Sequence, residues 1–203
     1  MQKKTFLRNM EKAVLMGLIF SIIISFANFD TACEDLRENV LRLHIIANSD
    51  SKEDQKVKLQ VRDSILKNSE KLFKNCADLS EAEENADSHL GDFKNIADKV
   101  LSQNGFDYKS TAKLSKSFFD TRNYPDFTLP AGTYNSLTVT LGNGKGHNWW
   151  CVIYPSVCLG SSSKKLKTVA GKKGYQIAVH HKKYKIKFKA IEILEKLKKK
   201  SRA

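Results

Sequence analysis

The chain is predicted to fold as an α+β protein: a two-layer sandwich whose mostly antiparallel sheet carries an antiparallel helix pair on one face, behind an N-terminal hydrophobic helix. Three observations predict it. A short apolar strand at residues 41–47 runs into a polar elbow that opens a helix, two helical periodicities fill residues 51–104, and from Phe106 the apolar period falls to that of extended strands. No repeat is evident, and the roughly 170 residues beyond the hydrophobic segment suit one domain with a real core.

Residues Ala13 to Phe29 carry no charge and follow a leader holding Lys3, Lys4, Arg8 and Lys12 against Glu11 alone. About 17 apolar residues behind a basic flank read as an export signal or a membrane anchor with its N-terminus in the cytoplasm. Everything after Asp30 is then expected outside. Ser25 and Ala27 are small at the two positions a signal peptidase reads, while the run is longer than many secretory cores, so cleavage and retention both stay open. Asp30-Thr-Ala-Cys33 superficially resembles a lipoprotein site, but Asp30 stands where an aliphatic side chain is needed.

The strand at Leu41, Leu43, Ile45, Ile46 and Ala47 is apolar on one face and nearly so on the other, as for a strand covered by helices. Asn48, Ser49 and Asp50 end it. Asp50 is expected to cap the next helix, with Glu53 completing a capping box. Arg42 and His44 share a strand face and point towards the edge that holds Asn48 and Asp50, so four polar groups are expected to converge; local hydrogen bonding in a strand-to-helix turn is the competing explanation for Asn48, Ser49 and Asp50. Val57, Val61, Ile65 and Leu72, with Leu59, Leu66 and Phe73 beside them, give the first helix a wide apolar face. Ser80 with Glu83 reads as a second capping box, and Ala82, Ala86, Leu90, Phe93, Ala97 and Val100 continue that helix to Asn104-Gly105.

Tyr108, Ala112, Leu114 and Phe118 mark an extended segment; Leu137, Val139 and Leu141 alternate with Thr138 and Thr140; and Trp149 to Tyr154 form an apolar run closed by Pro155. The last two strands, joined by Gly142 to His147, predict a long-looped β-hairpin. The glycine-rich loop is no phosphate cradle, because it runs from strand to strand rather than into a helix. Trp149 and Trp150 must face opposite sides of their strand, so one of them is a candidate contact residue. Cys151 and Cys158 read as a disulfide outside the cytoplasm, or Cys151 as a small buried apolar residue. His147 and Cys151 cannot act as base and nucleophile, since four strand residues span about 13 Å.

The formal charge of +13 lies wholly in residues 164–203, where fifteen Lys and Arg meet only Glu192 and Glu195. For an exported chain such a tail predicts attraction to an anionic membrane or wall polymer, and no nucleic acid is expected as a partner. Tyr184, Ile186 and Phe188, alternating with Lys185, Lys187 and Lys189, predict a strand with one basic face; Ile191, Leu194 and Leu197 predict a short amphipathic helix after it. The expected organisation is a signal or anchor over 1–32, an α+β signalling domain over 36–160, a lysine-rich linker over 161–175 and a basic strand and helix over 176–203. No paired carboxylates, nucleophile elbow or metal cluster stands out, so neither an enzyme nor a cofactor is predicted. The rival class is an exported wall hydrolase using His44, Asp50 and Asp54.

Arg42-Leu-His-Ile-Ile-Ala-Asn-Ser-Asp-Ser51, Glu53-Asp-Gln55, Leu59-Gln-Val-Arg-Asp63, Leu129-Pro-Ala-Gly132, Tyr134 and Gly146-His-Asn-Trp-Trp-Cys-Val152 to Cys158 together resemble the stage II sporulation protein R family of endospore formers. Lys164 to Lys173 departs from it, replacing a more acidic region. The resemblance implies a signalling protein exported from the forespore into the space between forespore and mother-cell membranes. It would there activate a membrane-embedded aspartic protease that processes the sigma E precursor. Arg42, His44, Asn48, Asp50, Asp54, Trp149 and Trp150 are the expected partner-binding residues.

Overall fold

The computed structural model describes residues 2–155 and 164–201. Helix α1 (Gln2–Arg37) leads into strand β1 (Leu41–Ile46) and helices α2 (Lys52–Phe73), α3 (Leu79–Ser88) and α4 (Leu90–Gln103). Strands β2 (Ser110–Phe119), β3 (Arg122–Asn123), β4 (Thr128–Leu129), β5 (Gly132–Leu141) and β6 (Asn148–Tyr154) follow, then helices α5 (Lys164–Val169), α6 (Lys172–Val179) and α7 (Lys185–Ser201). The α+β class and the apolar N-terminal helix are as expected.

The main sheet has the order β2-β5-β1-β6, with β1 parallel to β5 and the other two pairings antiparallel. The expected hairpin is therefore open: β1 lies between β5 and β6, with Leu43 opposite Leu137 on one side and Cys151 on the other. A strand apolar on both faces is best satisfied in the middle of a sheet, where both edges also find hydrogen-bond partners. The 142–147 loop crosses the end of β1 to make room for it, fastened by Gly146 N–H to the Ala47 carbonyl (2.9 Å) and Lys145 N–H to the Asn48 carbonyl (3.1 Å).

Leu43 and Ile45 of β1 meet Val57, Val61 and Ile65 of α2, Phe93 and Ala97 of α4, and Leu137 and Val139 of β5 in the principal core. The helix boundaries differ from expectation by small steps. Ser51, not Asp50, caps α2 by accepting from Asp54 N–H (3.1 Å). Asp78, not Ser80, caps α3 by accepting from Glu81 N–H (3.0 Å), and Glu81 accepts in return from Ala77 N–H (2.8 Å). The periodic run after it breaks at His89 into α3 and α4.

The opposite sheet face carries a second core at one end. Phe29, Cys33 and Leu36 of α1 join Leu166, Ile177, Phe188 and Ile191 of the C-terminal helices over Phe119, Leu129, Tyr134 and Val152. The strand predicted at Tyr184 to Lys189 is instead the end of a 3-10 turn (His181–Tyr184) and the start of α7. Positions 184, 188 and 191 also have helical spacing, and the Phe29 ring decides between the two periods. It lies 5.4 Å from the ring of Tyr184 and 5.1 Å from that of Phe188 between centroids, leaving Ile186 exposed. Residues 164–169 and 172–179, in or next to the stretch expected to be linker, are helical. From Phe6 to Arg37, α1 is long and apolar enough to cross a membrane, and its side chains from Val14 to Ile24 stand exposed.

Candidate partner-binding site

The expected residues fall into two groups. Asn48, Asp50 and Asp54 belong to a polar network that stitches the β1–α2 elbow to the 142–147 loop. Asp54, almost fully buried, accepts from Ser49 Oγ (2.6 Å), Asn48 Nδ2 (3.0 Å) and Tyr108 OH (2.5 Å). Burial would raise its carboxyl pKa, but the hydrogen bonds from Ser49, Tyr108 and Asn48 outweigh that and hold it below the usual carboxylate range. Burial and the Asp54 charge together push the Tyr108 phenol up, so its proton stays in place. Asn48 Oδ1 accepts from Asn143 N–H (2.9 Å), and Asp50 Oδ1 accepts from His147 N–H (2.6 Å) and lies 2.6 Å from His147 Nδ1. His147 lowers the Asp50 pKa through these hydrogen bonds. Buried Lys58 donates to the His147 carbonyl (2.8 Å) and to Gln55 Oε1 (2.5 Å), and Gln55 Nε2 donates to the Ser49 carbonyl (2.9 Å).

The network pairs most of its polar groups internally. What it presents outward is the loop tip, with Asn143, Lys145, His147 and Asn148 exposed beside Asp50. Gly146 packs so closely that a Cβ there would stand 2.1 Å from the Ser49 carbonyl oxygen. Gly146→Ala is expected to cost about 1–3 kcal/mol by forcing loop and elbow apart, which a shift in the chemical denaturation midpoint would measure.

Arg42 and His44 form the second group, on the face of β1 opposite the principal core. His44 lies across from Trp150 of β6, and their rings stack with centroids 3.6 Å apart at 19°. Burial pushes the His44 pKa down to about 4, so the ring is neutral near pH 7. Arg42 is fully buried, with its guanidinium 4.0 Å from the Phe119 ring centroid and its Nε donating to the Cys151 carbonyl (3.2 Å). The four polar groups thus do not converge at one edge. Instead Asp50 and His147 pair at the loop, while Trp150, His44 and buried Arg42 lie on the sheet face opposite the principal core. Trp149 faces the other way, with the Arg62 guanidinium 4.4 Å from its ring centroid.

Cys151 is disulfide-bonded, and Cys158 lies outside the described residues. Among the described residues no three His, Cys, Asp or Glu side chains are grouped to hold a metal ion. The residues invoked for a wall hydrolase have separate partners: His44 stacks on Trp150, Asp50 binds His147, and Asp54 binds Ser49, Asn48 and Tyr108. Sequence reasoning passed over Lys58, Tyr108 and Phe119. A lone Lys on the buried side of α2 was the available signal for the first, whereas the other two meet their partners only through long-range packing.

Fold and sequence define a small α+β domain carried on one apolar helix fit for a signal or anchor segment. The family described as stage II sporulation protein R matches residues 37–165. The chain is also 32% identical over 160 residues to stage II sporulation protein R of Bacillus subtilis (strain 168), covering 73% of this chain and 71% of that relative. It belongs to the stage II sporulation protein R family, which gives it a role in sporulation signalling. No solved structure matches it.

Proposed function

We propose that this chain is exported from the forespore into the space between forespore and mother-cell membranes and there activates a membrane-embedded aspartic protease, triggering processing of the sigma E precursor. Family membership over most of the chain carries the reading. Two structural features support it: the apolar helix that precedes the domain, and polar and aromatic side chains at the hydrogen-bonded elbow and on the adjoining sheet face. Binding of these groups to the outer part of the protease would shift it towards its active state by favouring one of its conformations over another. Asp50, His147 and Trp150 would make first contact, with His44 and Asn48 holding them in place. The basic C-terminal helices would add a weaker attraction to an anionic membrane or wall polymer.

The test is co-expression of this chain, the protease and the sigma E precursor in a bacterium that does not sporulate, followed by a blot for shortening of the precursor. Shortening is expected only when the chain carries residues 1–29 and the protease keeps its catalytic aspartate. An intact precursor beside well-expressed, exported chain and competent protease would overturn the reading.

A further inference from the structure

Arg42 carries a feature that signalling by surface contact does not explain. Its side chain is fully buried, in the corner formed by the rings of Phe119 (4.0 Å from guanidinium to centroid) and Tyr134 (4.9 Å). Its Nε is satisfied by the Cys151 carbonyl, but Nη1 and Nη2 are buried with no hydrogen-bond partner among the described residues. A buried cation whose donors stay unpaired is an expensive arrangement, and interiors normally avoid it by supplying an anion or a carbonyl. The Tyr134 hydroxyl beside it, which donates to the Pro130 carbonyl (2.7 Å), is neutral and supplies no counter-charge.

Beside the guanidinium lies a cavity of about 250 Å³, lined by Arg42, Phe119, Trp150, Thr121, Arg122 and Asp120 among others. Thr121 Oγ1 is likewise buried and unpartnered among the described residues. Arg122 adds a second positive charge, and the one nearby carboxylate, Asp120, is drawn outward to Lys196 (2.8 Å). The cavity is therefore lined by donors, positive charge and the contacting Phe119 and Trp150 rings, with its own acid turned elsewhere.

We propose that this cavity is a carboxylate pocket that receives a single Asp or Glu side chain from a protein partner. Two free Nη groups match the two oxygens of a carboxylate, and the corner formed by the Phe119 and Tyr134 rings holds the guanidinium that carries them. The flat Trp150 and Phe119 surfaces suit the methylene stem of an acidic side chain. A cavity of about 250 Å³ has room for one such side chain. A phosphate would bring more charge and a tetrahedral set of oxygens that one fork and one hydroxyl leave partly unmatched. The inference concerns chemistry alone and holds whichever protein supplies the acid.

The experiment uses the full chain in detergent micelles with Trp149→Phe, so that Trp150 alone reports by fluorescence. The probes are a short blocked peptide with one central Glu, the same peptide with Gln, and inorganic phosphate. Saturable change is expected with the Glu peptide and none with the Gln peptide. Binding should weaken at least tenfold in Arg122→Gln, a surface change that spares the core, and vanish in Arg42→Met. Arg42→Met should match or exceed the parent in thermal stability, because it removes an unpaired buried charge, and the Glu peptide should raise the midpoint of the parent only. Phosphate binding tighter than the Glu peptide would overturn the assignment in favour of a phosphate ligand. No saturable response in the parent, together with a less stable Arg42→Met, would overturn it in favour of a structural pillar.

Discussion

Replacing Asp54 by Ala is expected to cost about 3 kcal/mol or more and to release the 142–147 loop from the elbow. Three side-chain donors end on this one carboxylate, from Ser49, Asn48 and Tyr108, and the residue is almost fully buried. Losing the acceptor strands those donors, and each unsatisfied buried donor costs about 1–3 kcal/mol, moderated where water can enter. Asn48 also holds the loop through Asn143 N–H, so its loosening should spread there. The measurement is the denaturation midpoint together with amide exchange at Asn143, Lys145 and Gly146. A loss below about 1 kcal/mol with unchanged exchange would show the network to be dispensable. Asp54→Asn should fall between, since it keeps one acceptor oxygen but turns an NH2 towards donors.

Acidification from pH 7 to pH 5 is expected to remove roughly 2 kcal/mol of stability through His44 alone. Its pKa is about 4 in the folded chain against 6.5 for a free side chain, because burial disfavours the charged ring. Below pH 6.5 the unfolded chain takes up a proton that the folded chain refuses, so unfolding gains as pH falls until about pH 4, where the folded ring protonates too. The depressed carboxylates, Asp50, Asp54 and Asp98, act in a separate window: their contribution is complete above their ordinary value near 3.8 and is lost as pH falls below it. His44→Phe, which keeps a flat ring against Trp150, should flatten the stability profile between pH 5 and pH 7 and leave the acid limb untouched. An unchanged slope in that variant would assign the titration elsewhere.

Local chemistry made the elbow legible in the sequence. Asn48, Ser49, Asp50 and Ser51 can each end a strand or cap a helix, so the turn was evident while its capping residue was not. Ser51 took the cap, which left Asp50 free for His147. The face shared by Arg42 and His44 followed from the two-residue strand period, but their burial did not, because Phe119 and Trp150 reach them from strands far along the chain. The insertion of β1 between β5 and β6 was equally hidden: two alternating strands joined by a glycine-rich loop look alike whether they pair with each other or flank a third. At Tyr184 to Lys189 two periods fit the same residues, and a partner on α1 chose the helical one.

Helix α1 runs without a break from the exposed apolar stretch to Leu36 in the second core. Where that stretch is held in a bilayer, the domain is joined to it by a stiff shaft rather than a tether. Its height and bearing over the lipid are then indexed by helix phase: each residue added between the two would lift the domain by about 1.5 Å and swing it by about 100°. The face that the domain turns away from the lipid would thus be set by the helix rather than sampled at random.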